Sequence, residues 1–128
     1  FYNCVRQSGY DATGYLDGLE VVSQCYKELF KKYKDLPNVV FLVDPPYLST
    51  ETGTYKSYWK LRDYLDVLQV LDGTKYFYFT SNKSSIIELC EWIETKTPMS
   101  NPFTGSTTAT MNATVNYSSS YTDIMLYK

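Results

Sequence analysis

The 128-residue chain contains no histidine. That absence removes Ser-His-Asp and Cys-His catalysis, and every histidine-ligated metal site, from within these residues. Cysteine is scarce. Cys4, Cys25 and Cys90 are odd in number and far apart, with no Cys-x-x-Cys spacing, so neither a disulfide framework nor a zinc knuckle is indicated. No apolar run approaches the ~20 residues that a membrane-spanning helix needs. An excess of positive charge is also missing: 12 basic residues against 14 acidic leave a net charge of −2, with a pI near 5.0. A protein that grips a polyanion usually shows a basic face, and the whole-chain balance offers none. The group Lys27, Lys31, Lys32 and Lys34 reads as a solvated helix face with favourable charge at a helix C-terminus. No signal-peptide pattern is present, and the unpaired cysteines suit a reducing cytoplasm. The chain opens at Phe1, not at a methionine, and reads as though cut from something longer.

What the chain has in abundance is tyrosine, with 14 copies. A tyrosine joins an apolar ring to a polar tip, so it suits half-buried surfaces and stacking platforms. The length allows one domain with one modest core. Residues 1–18, with Gly9, Gly14 and Gly18, form a loop-rich lead-in and a candidate tail of a target-recognition region upstream; residues 19–128 form the main unit.

Leu19 to Val22 is a candidate short strand. Ser23 is the expected N-cap of a helix from Gln24 to about Tyr33, with Tyr26, Leu29, Phe30 and Tyr33 on one stripe. Pro37 stops it. Val39-Val40-Phe41-Leu42-Val43 then reads as a strand buried on both faces, as in a parallel sheet. Asp44-Pro45-Pro46-Tyr47 ends that strand, because proline cannot continue a central ladder. A polar loop over 48–56 precedes a helix from about Tyr58 to Leu71, closed by Asp72-Gly73. Lys75 to Thr80 is aromatic and β-prone. Ser85 with Glu88 makes a capping box for a helix to about Glu94. The Ser/Thr/Asn-rich stretch 97–120 holds the alternation Thr-Ala-Thr-Met-Asn-Ala-Thr-Val of an edge strand, and Tyr121 to Tyr127 is the last strand. The order strand, helix, strand, helix, strand, helix, hairpin implies an α/β sheet, mostly parallel, with a C-terminal antiparallel hairpin. Asp44 then sits at the carboxyl end of a parallel strand, where open α/β sheets bind ligands.

Asp44-Pro45-Pro46-Tyr47 at a strand end, followed by a loop, a helix and another strand, resembles motif IV of the amino-methyltransferases. With aspartate first, it is similar to the Dam-like DNA N6-adenine methyltransferases. Phe41-Leu42-Val43 before the motif, Tyr55 and Trp59 after it, Thr80-Ser81-Asn82 at the next strand end, and Asn116 to Lys128 as a closing strand extend the likeness over about Leu19 to Lys128. The resemblance implies a partial Rossmann-like fold: the C-terminal part of an S-adenosylmethionine-dependent catalytic domain, of bacterial or phage, restriction-modification type. It implies double-stranded DNA as partner. Asp44, Pro45, Pro46 and Tyr47 would be catalytic, Asp44 and Tyr26 would face the cofactor, and Tyr47, Tyr55 and Asn82 would face the substrate base. No metal is called for.

The chemistry is consistent with these residue types. The exocyclic amine of adenine is a poor nucleophile, because its lone pair is delocalised into the ring. The Asp44 carboxylate and the Pro45 carbonyl would accept its hydrogens, and Tyr47 would stack on a base flipped out of the duplex. Positioning and electrostatics would supply most of the rate of a direct displacement. One departure is large: the Phe-x-Gly-x-Gly type of loop that cradles the cofactor in the family is absent. The chain alone is therefore expected to bind cofactor poorly and to be inactive without an N-terminal part. A non-catalytic remnant or an assembly subunit is the alternative. RNA or a protein amide stays open as substrate, since related motifs with asparagine first serve them. A module displaying Pro-Pro-Tyr to a WW-type domain would need the motif exposed and free of any pocket. A sheet edge lacking its neighbour invites self-association.

Overall fold

A computed structural model describes residues 13–48, 59–116 and 119–128. In chain order it contains helix α1 (Tyr26–Tyr33), strand β1 (Phe41–Val43), helix α2 (Leu61–Leu71), strand β2 (Tyr76–Ser81), helix α3 (Ile86–Lys96), and strands β3 (Thr107–Asn116) and β4 (Ser119–Tyr127). The four strands make one sheet in the order β1-β2-β4-β3. β1 runs parallel to β2, with Phe41 opposite Tyr76 and Val43 opposite Tyr78. β4 pairs antiparallel with both β2 and β3.

This is an α/β fold, but the sheet is mixed and not mostly parallel. Two of its three pairings are antiparallel, because the C-terminal hairpin contributes half of the strands. The expected Rossmann-like layout is not evident either. Leu19 to Val22 forms no strand, and Leu19, Val21 and Val22 are exposed. A strand needs a neighbour to satisfy its backbone groups, and among the described residues β1 carries a partner on one side only.

Strand alternation sorts the sheet into two unlike faces. Phe41, Val43, Tyr76, Tyr78, Thr80 and Leu126 point into the core, where Phe30 of α1, Val67, Leu68 and Leu71 of α2, and Ile86 and Cys90 of α3 meet them. The alternate residues point the other way: Leu42 is 71% exposed, and Phe77 also reaches the surface. The expectation that Val39 to Val43 is buried on both faces therefore fails. The three helices share one core cluster on one side, and Val40 and Leu42 look away from it.

Local signals account for the helix ends. α1 begins after Cys25, and not at the expected Ser23. The Asp63 carboxylate accepts the Lys60 N–H at 2.9 Å and fixes the first turn of α2. Gly73, at φ 78°, takes the left-handed conformation that ends α2, as expected. Ser85 stands at the N-cap of α3, without the side-chain cap bond of a capping box. α1 is joined to α2 by polar contacts: the Tyr26 hydroxyl donates to Asp63 at 2.8 Å, and Lys27 Nζ lies 2.7 Å from Asp66. Lys27, Lys31, Lys32 and Lys34 are all exposed, as a solvated helix face requires, although Lys27 is also drawn into the pairing with α2.

Part of the Ser/Thr/Asn-rich stretch is core. Asn101, Pro102 and Phe103 are buried. The Asn101 side chain accepts the Phe103 N–H at 2.9 Å, and the Phe103 ring packs against Tyr78, centroids 5.1 Å apart. The Tyr76 hydroxyl donates to the Pro102 carbonyl at 2.8 Å. Among the described tyrosines, Tyr64, Tyr76 and Tyr78 are buried and structural. Cys90 is a core residue too, and burial pushes its thiol up to about 12. Among the described residues no helix is long and apolar enough to cross a membrane.

The two faces predict opposite responses to truncation. Leu71→Ala, at a fully buried position, is expected to cost about 2–5 kcal/mol. Leu42→Ala, on the open face, is expected to stay within about 0.5 kcal/mol. Urea unfolding followed by circular dichroism checks both; equal losses would show that the second face is covered.

Candidate functional site

Alternation along β1 decides where the Asp-Pro-Pro-Tyr residues go. Phe41 and Val43 are buried, so Asp44 falls on the open side and is exposed, while Pro45 turns back inward and is buried. The first proline therefore anchors the turn in the core, and the carboxylate is left free at the strand's carboxyl end. Pro46 and Tyr47 are half-buried. The far side of the turn is tied down by the Ser84 hydroxyl, which accepts the Leu48 N–H at 3.1 Å. The Leu48 carbonyl in turn accepts the Ser85 N–H at 3.2 Å. The turn is thus locked to the segment between β2 and α3.

Two cavities adjoin it. The larger, about 760 Å³, follows the free edge of β1 and is walled by Val39 to Val43, by Val21 and Val22, and by Tyr26 of α1. The smaller, about 440 Å³, lies over the open face, walled by Tyr47, by Phe79 of β2, by Met111 of β3 and by Asp123 and Met125 of β4. Among the described residues, Asp44 alone lines both. Both volumes fall in the usual range for small-molecule sites.

The Tyr47 hydroxyl donates to Asp123 Oδ1 at 3.2 Å, across 76 positions of sequence. Burial raises the Tyr47 phenol to about 12, assisted by the hydrogen bond to Asp123 and by the negative charges of Asp123 and Asp44. Tyr47 is therefore a neutral hydrogen-bond donor at physiological pH.

The remaining sequence candidates are placed less uniformly. Tyr26 lines the larger cavity, yet its ring stacks on Trp59, centroids 5.0 Å apart, and its hydroxyl is engaged by Asp63. It is a wall anchored by core contacts, and Trp59 is part of that packing. Burial, followed by the Asp63 contact, raises the Tyr26 phenol to about 12 as well. Asn82 is exposed at the end of β2. Its side-chain oxygen accepts the Thr122 N–H at 3.0 Å, and its own N–H donates to the Thr122 carbonyl, also at 3.0 Å. This clamp extends the β2–β4 pairing, and Asn82 is not among the residues lining the two cavities. Tyr55 lies outside the described residues. Sequence reasoning missed Asp123. The available signal was an acid set between Thr122 and Ile124 in an otherwise alternating strand, which does not say what the acid faces.

The chain is 38% identical over 132 aligned positions to a protein of Haemophilus influenzae described as "Putative methyltransferase". The match takes in all of this chain and 44% of that protein, so the chain spans less than half of the relative's length. No family model matches the chain, and no solved structure matches it.

The raised Tyr47 phenol has a readable consequence. A difference titration at 295 nm between the unaltered protein and Tyr47→Phe is expected to isolate one phenol with a midpoint near 12, where an ordinary tyrosine gives 10.0. The folded state holds this proton more tightly than the unfolded chain. Its contribution to stability is therefore complete below pH 10 and declines as pH rises from there toward 12.

Proposed function

We propose that this chain forms the target-amine half of an S-adenosylmethionine-dependent methyltransferase site, and that its substrate is adenine N6 in double-stranded DNA. The observation that carries the proposal is the position of Asp44, where the two cavities meet. Transfer between two bound molecules requires a junction of this kind, with the acceptor on one side and the donor on the other.

The smaller cavity suits the acceptor. Tyr47 and Phe79 offer aromatic surface, and Asp44 supplies a hydrogen-bond acceptor at its edge. The Asp44 carboxylate holds the hydrogens of the target amine and directs the nitrogen lone pair out of conjugation. The Pro45 carbonyl, in a turn stiffened by two prolines, is a second acceptor of the same kind. Aspartate in first place favours adenine, as the likeness to Dam-like enzymes implies, and Tyr47 then stacks on the extruded base. The similarity to the Haemophilus influenzae protein supports methyl transfer in general; the choice of DNA adenine rests on the motif.

The larger cavity suits the donor in kind. It presents an apolar and aromatic wall to a ring; of its charged groups Glu20 interacts with Lys32, which leaves the Asp44 carboxylate as the one that would favour a cationic group. S-adenosylmethionine, when bound, supplies an electrophilic methyl group on a cationic sulfonium. Val21, Val22 and Tyr26 would bound its ring, and Asp44 would stand at its reactive end. The glycine-rich cradle of the family has no counterpart in these residues. Part of the donor site therefore comes from other polypeptide, for which the remaining length of the relative has room. The chain by itself binds the donor weakly and turns over poorly. Self-association through the free edge of β1 belongs to the same proposal, because that edge has no neighbour among the described residues.

Asp44→Ala in the intact protein is expected to lower the transfer of tritiated methyl groups to duplex DNA by about 10²-fold or more. Asp44→Asn, which keeps an acceptor, should lose less. Undiminished transfer by Asp44→Ala would overturn the proposal.

A further inference from the structure

The smaller cavity holds a second carboxylate that the Asp-Pro-Pro-Tyr turn does not account for. Asp123 lies in β4, one of the two strands hydrogen-bonded on both sides, opposite Ser81 of β2 and Met111 of β3. Backbone paired on both edges is among the last parts of a sheet to open. Tyr47, by contrast, belongs to a connection that has left the sheet. The bond between its hydroxyl and Asp123 Oδ1 fixes the tip of a loop residue to an interior strand of the sheet. A phenol held at its tip has a fixed ring axis, and because a phenolic O–H favours the plane of its ring, the direction of the bond also biases that plane; stacking on a planar base depends on both.

From this geometry we infer that Asp123 is a positioning residue: it sets the ring of Tyr47 against the base in the smaller cavity. The inference rests on reading that cavity as the target site. A carboxylate suits the role better than a neutral acceptor, because a hydrogen bond to an ionised group is roughly twice as strong as a neutral one. It has a second effect. Asp44 and Asp123 both border the cavity, and among the described residues no lysine or arginine lines it. The edge of a bound ring that meets them is favoured when it carries N–H and disfavoured when it carries a carbonyl. The pair thus selects an amino-substituted base over a keto base.

The test has two arms in the intact protein. In the first, 3-fluorotyrosine is placed at position 47 and its fluorine resonance is recorded. Asp123→Ala should move and broaden the resonance, and Asp123→Asn, whose amide oxygen still accepts, should restore most of it. In the second, methyl transfer to duplex DNA is measured over a double-mutant cycle. Asp123→Ala alone should lower kcat about tenfold, and adding it to Tyr47→Phe should cost clearly less than a further tenfold, because the contact the two share is already lost. A resonance unmoved by Asp123→Ala, or losses that multiply in the double variant, would overturn the inference. Absence of transfer by the unaltered protein would instead overturn the function proposed for the cavity, and the fluorine arm would still decide whether Asp123 governs Tyr47.

Discussion

The structure depends on β2. Tyr76 and Tyr78 are almost wholly withdrawn from water, and each is held by more than area. Tyr76 hands its hydroxyl proton to the Pro102 carbonyl, and Tyr78 meets the Phe103 ring. Large rings with satisfied tips contribute apolar burial without the penalty of a stranded polar group. The strand that carries them is paired on both edges, parallel to β1 and antiparallel to β4. It sets the separation between Asp44 at the end of β1 and Asp123 in β4. Without it the two acids would not face one cavity.

Burial on one side of β2 has a consequence on the other. All three helices pack on the face that Tyr76 and Tyr78 present, so the alternate residues of each strand share the opposite face. Leu42, Phe77 and Met111 are exposed there, and Asp44 joins them by the same two-residue period. An acid at that point is well hydrated and need not be paired. Pro45, one residue on, is buried and holds the turn in place. The Asp44 carboxylate directly follows Val43, the last residue of a packed strand, with a proline behind it.

The asymmetry of the two cavities bears on function in a simple way. One is bounded mainly by a strand edge and apolar side chains, with Glu20, Lys32 and Asp44 at its margin; the other lies on a sheet face with two acids and, among the described residues, no basic side chain. They differ in the kind of molecule each would hold, and they touch at a single side chain. Under the proposed methyl transfer, direct displacement would ask little of the protein beyond holding both reactants in line and removing water, and would call on neither histidine nor thiol.

Local pattern was enough to place the strand that ends in Asp44, the helix closed by Asp72-Gly73, the aromatic strand after it and the C-terminal hairpin, because each is set by side-chain period and by proline or glycine at its end. The motif itself was legible for the same reason: four adjacent residues carry it. Pairing was not legible. Whether β2 takes its second neighbour parallel or antiparallel is decided by which strand arrives there, and β4 arrives from the far end of the chain. Nor could period tell that Val39 to Val43 would be buried on one face only, since a run of apolar residues reads the same with one face open. Asn101 to Phe103 sat in a stretch whose composition reads as loop, and only packing against Tyr76 and Tyr78 made it core. The sequence by itself determined Asp44 and the stiff turn behind it. The tertiary structure alone decided what Asp44 stands between, and that Asp123, 76 positions beyond Tyr47, would meet its hydroxyl. Such a contact depends on strand register, and register is a property of the whole sheet.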